Sequence, residues 1–214
     1  IASDWNSAPP RERWRRNIGP AWSSVLVIDG RLFTQEQRGE LESVTCLDAD
    51  TGDEIWAHTD AVRFSDGQAG AGPRATPTFA EGRIYALGAT GVLNCLDAAT
   101  GQPVWSRNLV TDTQAPLPMW GFSSSPLVID DKVIVAASGA LIAYDAATGE
   151  RRWLMKSRGG SYSSPHLLTI DGVDQVVLMG GQGTTGVAVA DGTVLWANEW
   201  AGAPMVQPAL LAGG

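Results

Sequence analysis

Short apolar runs, three to six residues long, recur along the chain and are cut apart by small sets of turn-forming residues. Acidic–glycine pairs stand between many of them: Asp29-Gly30 before Arg31 to Thr34, Glu81-Gly82 before Arg83 to Ala86, with Asp130-Asp131 before Lys132 to Val135. Such pairs predict hairpins, since glycine takes positive φ with no Cβ to clash. A fourth, Asp171-Gly172, carries two extra residues before the run Gln175 to Leu178. Further runs follow at Val44 to Leu47, Val92 to Leu96, Ala140 to Tyr144 and Gly186 to Val189. Each enters a second kind of turn. The length and bounding of these runs predict strands throughout.

That second turn is a repeat. Asp48-Ala49-Asp50-Thr51-Gly52 precedes Trp56, Asp97-Ala98-Ala99-Thr100-Gly101 precedes Trp105, Asp145-Ala146-Ala147-Thr148-Gly149 precedes Trp153, and a worn copy, Asp191-Gly192, precedes Trp196. The glycine is four residues before the tryptophan each time, and the tryptophans recur at intervals of 49, 48 and 43 residues. A period of roughly 40 to 50 residues filled with strands predicts a β-propeller with one four-stranded antiparallel blade per period. Innermost strands are expected from Ser23-Ser24-Val25, Ala75-Thr76-Pro77, Ser124-Ser125-Pro126, Ser163-Ser164-Pro165 and Val206-Gln207-Pro208, where small residues suit crowding and proline fits an unpaired ladder position. The expected order is an N-terminal segment over 1–20, with an outer strand Arg13 to Ile18 of a preceding blade. Blades follow at about 21–58, 70–107, 121–155 and 162–198, then the first strand of a fifth at 205–214. The fold class is all-β: about four complete blades with one flanking strand at each end, half of an eight-bladed ring.

Composition narrows the partners. Hydrophobic residues make up 44% and charged residues 18%, enough for a buried core and against disorder. A formal net charge of -8 argues against nucleic acid, which needs clustered Lys and Arg to displace counterions. The cluster Arg11, Arg13, Arg15 and Arg16 brackets Trp14 and reads as a solvated strand edge. No run approaches the roughly 18 apolar residues of a membrane span. Cys46 and Cys95 each precede their repeat glycine by six residues and so hold equivalent places in adjacent blades. Packed sheets lie about 10 Å apart, beyond the roughly 7 Å Cα separation a disulfide tolerates. Two buried free thiols are expected.

The segments between blades differ in length, and loops gathered on one face of a repeat array are where binding is sought. From repeat tryptophan to inner-strand proline the step is 21 residues in the first two links and 12 in the last two. The long links, Ala57 to Gly72 and Ser106 to Gly121, should share a face. Trp22, Arg74, Trp120 and Tyr162 sit just before inner strands at the expected channel mouth and are the candidate binding-face residues, with Gln207 as a fifth.

The Asp-Ala-x-Thr-Gly-x-x-x-Trp repeats resemble those of the pyrroloquinoline-quinone-like (PQQ-like) β-propeller family, which includes eight-bladed quinoprotein alcohol dehydrogenases and a lipoprotein of outer-membrane assembly. The phrases Gly72-Pro73-Arg74-Ala75-Thr76-Pro77 and Trp120-Gly121-Phe122-Ser123-Ser124-Ser125-Pro126 look most like secreted or periplasmic bacterial members. The resemblance implies a structural role for Trp56, Trp105, Trp153 and Trp196, each docking on a neighbouring blade with its N–H on a carbonyl near the repeat turn. A tryptophan's large apolar area and single donor fit that role. Four periods make about half of such a ring, so the remainder is expected from further chain or from a second copy. A non-catalytic scaffold binding a protein, peptide or saccharide is the expected function, with no cofactor. The alternative the resemblance allows is a quinoprotein alcohol or sugar dehydrogenase using PQQ and Ca2+, in which Trp22, Trp120, Arg74 and Tyr162 could supply an aromatic floor and a carboxylate clamp. The vicinal cysteine pair of those enzymes is absent.

Other chemistry finds little support. Gly181-x-Gly183-x-x-Gly186 matches a dinucleotide fingerprint, but it runs into Val187-Ala188-Val189 and a turn instead of opening a helix. Asp48, Asp50 and Asp53 lack the bidentate Glu of a calcium loop. His58 and His166 have no partner at ligand spacing, and no nucleophile elbow surrounds the serine runs. No catalytic or metal-ligating residue is assigned.

Overall fold

The computed structural model describes residues 6–7, 9–156 and 160–202. Blade 1 is built from β1 (Leu26–Ile28), β2 (Arg31–Arg38), β3 (Leu41–Asp48) and β4 (Glu54–Asp60), and a two-stranded hairpin, β5 (Ser65–Asp66) and β6 (Gly70–Ala71), follows it. Blade 2 comprises β7 (Thr78–Ala80), β8 (Arg83–Leu87), β9 (Val92–Asp97) and β10 (Pro103–Asn108), succeeded by one helical turn, α1 (Leu109–Thr113). Blade 3 holds β11 (Leu127–Ile129), β12 (Lys132–Ala137), β13 (Ala140–Asp145) and β14 (Arg151–Lys156). Blade 4 holds β15 (His166–Ile170), β16 (Val173–Gly180), β17 (Gly183–Ala188) and β18 (Val194–Glu199). In all four sheets, strands consecutive in sequence pair antiparallel, so each blade is an up-and-down meander. The all-β expectation holds, α1 being its one departure among the described residues.

Local chemistry sets each turn. In the β1–β2 hairpin both central residues have positive φ, Asp29 at 47° and Gly30 at 74°, the twist that two-residue hairpins need. Asp171-Gly172 makes the same turn, with Ile170 directly opposite Val173. The two extra residues there lengthen β16 and leave the loop short. In the repeat turn the aspartate caps the chain: Asp48 Oδ1 accepts from Asp50 and Thr51 N at 2.9 and 2.8 Å, and Asp97 and Asp145 do likewise. After each turn the β3–β4 type pairing slips by one residue, leaving Ile55, Val104, Arg152 and Leu195 without a direct partner. Such a bulge bends the outer strand and re-aims the next side chain, which is the repeat tryptophan.

Cores lie between blades. Phe33, Val44, Cys46 and Trp56 of blade 1 meet Ile84, Ala86, Leu96 and Ala98 of blade 2. Tyr85, Leu87, Leu93, Cys95 and Trp105 meet Val133, Val135, Ile142 and Tyr144, and Ile134, Leu141 and Trp153 meet Val176, Leu178 and Val187. Cys46 and Cys95 thus occupy different gaps as buried, unpaired thiols, and burial pushes Cys46 up to about 11.

The indoles of Trp56, Trp105 and Trp153 each lie on the next blade's repeat turn, donating to Ala98 O at 3.1 Å, Ala146 O at 3.0 Å and Val189 O at 3.2 Å. A Cβ on Gly101, Gly149 or Gly192 would come within 2.6–2.7 Å of those rings, so the glycine serves both positive φ and close approach. Trp14 does the same to Ala49 O at 3.0 Å and to Gly52. The segment Arg13 to Ile18, expected as an outer strand, joins no ladder among the described residues, because the third strand it would pair with does not precede it there. Trp196 also departs from the pattern. Its N–H donates to Gln175 Oε1 within its own blade, since no further repeat turn stands before it among the described residues.

Candidate functional site

The inner strands are stitched to one another by hydroxyls. Ser24 N donates to Thr76 Oγ1 at 3.1 Å, Thr76 N to Ser125 Oγ at 3.1 Å, and Ser125 N to Ser164 Oγ at 2.9 Å. This relay sets the blades' mutual register just beneath the loops. Its sequence signal is a Ser or Thr at the same place in the first four copies, directly before the inner-strand proline in three of them.

The two long links rise above this relay. The first begins after Asp60, not at Ala57, because β4 extends to that residue, and it folds into the β5–β6 hairpin. Asp66 Oδ1 accepts Ala69 N at 2.7 Å and Gln68 N at 2.8 Å, which closes the hairpin tip. Those amides, Ala69's foremost, together with the Arg74 guanidinium hold the Asp66 carboxyl below the usual range. The second link starts with α1, capped by Asn108 Oδ1 on Val110 and Thr111 N, and ends as Gln114 turns left-handed at φ 56°. A single turn leaves little periodicity to find in sequence; the asparagine cap was the available signal.

Arg74 ties these pieces together. Its side chain, 6% exposed, reaches Asp66 Oδ2 at 2.6 Å, Gly72 O at 2.6 Å, Gly70 O at 2.8 Å and Trp120 O at 3.3 Å, with its guanidinium 5.0 Å from the centre of the Phe64 ring. Four hydrogen bonds within the protein engage most of its donors. A free carboxylate clamp is therefore not what this arginine forms.

Around it the aromatic candidates form a connected ridge. Trp22, 65% exposed, donates to Ala69 O at 2.8 Å and so rests on the hairpin tip. Trp120 packs on Tyr162 with ring centres 5.0 Å apart, and Tyr162 O accepts Ser123 Oγ at 3.0 Å. Four of the five candidates are thus brought onto one face and joined through the links; Gln207 lies outside the described residues. Sequence reasoning missed Asp66 and Phe64, which hold the ridge, and Leu117 and Met119, whose side chains stand 45% and 78% exposed on the second link. Between blades 3 and 4 lies a cleft of about 320 Å³ lined by Met155, Lys156, Gln182, Thr184 and Asn198 among others.

The arginine that would take a quinone cofactor's carboxylate is buried in its own loop, and no three His, Cys, Asp or Glu side chains converge on a cation site among the described residues. The Gly181-x-Gly183-x-x-Gly186 motif falls on the β16–β17 hairpin, so its glycines face a strand, not a helix N-terminus. No helix among the described residues is long and apolar enough to cross a membrane.

Comparison with known proteins places this geometry. Residues 40–207 match the family model described as outer membrane protein assembly factor BamB. The quinohemoprotein alcohol dehydrogenase of Comamonas testosteroni is 31% identical over 70% of this chain and 23% of its own length. The outer membrane protein assembly factor BamB of Shewanella oneidensis is 28% identical over 68% of this chain and 36% of its own. The chain therefore spans about a quarter to a third of these relatives. Among solved structures, a europium-containing methanol dehydrogenase superposes with a TM-score of 0.52 at 15% identity, over 86% of this chain and 52% of that one, which speaks to fold alone. The chain belongs to the PQQ-like β-propeller repeat family that this model describes, whose other members include quinohemoprotein dehydrogenases and BamB.

Proposed function

We propose that this protein is a non-catalytic binding or assembly scaffold whose loop face takes a polypeptide ligand, with a saccharide as the other candidate class. One observation carries the reading. The face presents exposed Trp22, resting on the first link, with Leu117 and Met119 on the second, and Arg74 fixes both links from below, so the apolar surface is pre-ordered. Rigid aromatic and methionine side chains contribute much contact area at little ordering cost, and clusters of this kind dominate protein recognition. Arg74, engaged internally, favours apolar over acidic ligands. The assembly role named for the BamB relative supports the same reading, and export to the periplasm or beyond is part of the proposal.

The test is a peptide array of 12-residue segments and a glycan array, both probed with the labelled chain. Binding is expected on segments rich in aliphatic and aromatic residues. Trp22→Ala or Met119→Ala should each weaken the best segment by about tenfold, the size of a modest hot spot. Segments bound with undiminished strength by both variants overturn the assignment of this face. Stoichiometric uptake of pyrroloquinoline quinone with calcium, seen as a shifted absorption band, would overturn the non-catalytic reading.

A further inference from the structure

The gap between blades 1 and 2 differs chemically from the two that follow. On the face of blade 1 turned to blade 2, Gln37 stands opposite Glu42, Glu42 opposite Asp60, and Val44 opposite His58. Near the loop face this gap is thus polar, where the next gap buries Leu87, Leu93, Leu109 and Phe122. Glu42 is 4% exposed, and its Oε2 accepts Ala89 N at 3.2 Å. A Cβ on Gly88 would lie 1.7 Å from Oε1, so the carboxyl is pressed flat on the blade 2 backbone. Asp60 Oδ2 accepts Asn94 Nδ2 at 2.6 Å, and its Oδ1 is 3.6 Å from His58 Nε2.

Acceptors outnumber donors here. Gln37 gives its amide hydrogens to Gly39 O and Val62 O, leaving Oε1 buried with no partner, and His58 Nε2 is also buried without a hydrogen bond. Two carboxyls and an amide oxygen share the Ala89 and Asn94 donors, a shortage that a proton on one carboxyl relieves. Burial above all pushes Glu42 up to about 7; the Ala89 amide opposes this, the Asp60 charge adds to it and Arg74 opposes it.

We propose that Glu42 is a proton latch for the loop face: protonated, it closes blade 1 on Ala89 of blade 2, and ionised, its repulsion from Asp60 loosens this end of the gap. The route to the face is short. Ala89 is held at its N–H by Glu42 and at its carbonyl by Phe122 N at 2.9 Å, two residues after Trp120. Val62 N bonds Asp60 O at 2.8 Å, and Val62 O takes the Gln37 amide, so the first link is moored to the same gap. The titratable and charged groups around Glu42 are Asp60 and His58 from β4 and Arg74 from the approach to β7; Gln37 and Asn94 complete the neutral wall.

The test measures amide-exchange protection factors at Ala89 and Phe122 in the full chain, in wild type, Glu42→Gln and Asp60→Asn, between about pH 6 and about pH 8.5. In wild type both should fall by about tenfold or more across that range, while E42Q, which keeps an acceptor for Ala89 and adds a donor, stays protected throughout. D60N should move the wild-type midpoint to lower pH by removing the neighbouring charge. Protection independent of pH in wild type, a wild-type response retained by E42Q, or a midpoint unmoved by D60N would overturn the latch. The consequence for binding rests on the proposed loop-face function. The exchange experiment contains no ligand, so its failure leaves that function standing, and failure of the arrays leaves the latch standing.

Discussion

At the scale of single residues, the tightest coupling in the molecule is between an indole and a glycine one blade away. Gly101 has φ +73°, and a Cβ there would sit 2.6 Å from the Trp56 ring. Gly101→Ala therefore combines left-handed strain with a displaced ring, for an expected loss of about 2–4 kcal/mol. Trp105→Ala should cost about 3–5 kcal/mol, whereas Trp196→Ala, whose ring bonds its own blade and is only partly buried, should cost clearly less. Urea midpoints of the three variants check the ranking. The positions of these tryptophans and glycines were plain in the sequence, because the repeat keeps them four residues apart. Which carbonyl each indole finds was not, since it lies some 36–42 residues away along the chain.

Among the elements, the first long link depends on one side chain. Arg74 joins the β5–β6 hairpin to the carbonyl of Trp120, so Arg74→Met should free both links while leaving the blades paired. Limited proteolysis should then cut within 61–73 at least about tenfold faster, with the far-ultraviolet spectrum unchanged. Equal cleavage rates would show that the hairpin stands without the arginine. Length alone marked these links as unusual and placed Arg74 and Trp120 near each other. It did not show the internal task of Arg74, because a guanidinium's partners come from loop geometry that repeat arithmetic does not describe. The hydroxyl relay of Ser24, Thr76, Ser125 and Ser164 was visible only as small residues; seeing it needed the stagger of one blade against the next.

For the whole molecule, Glu42 makes stability depend on pH in an unusual direction. Its folded value, about 7, is above the ordinary 4.5, so the folded chain binds the extra proton between those values. Stability contributed by the protonated carboxyl is complete below about pH 4.5 and is lost as pH rises through about 7, by roughly 3 kcal/mol in all. Chemical denaturation at a series of pH values should show that decline in wild type and none of it in Glu42→Gln. The repeat-turn aspartates act the other way at lower pH. The Thr148 and Thr51 amides hold Asp145 and Asp48 down, and the Thr100 hydroxyl, then its amide, holds Asp97 down, with Asp145 at about 2, so the share of Asp145 is lost as pH falls through about 2.

The forward reach of the indoles gives the array a direction. Trp56, Trp105 and Trp153 each engage the turn of the blade after their own, never the one before, and Trp14 engages that of blade 1 from the N-terminal side. Each described blade is thus a socket at its leading side, and each of the first three is also a plug at its trailing side, like wagons coupled in one sense. Duplicating an internal blade in the gene should lengthen the train without misfit, whereas reversing the order of plug and socket within a single blade would uncouple it from both neighbours at once.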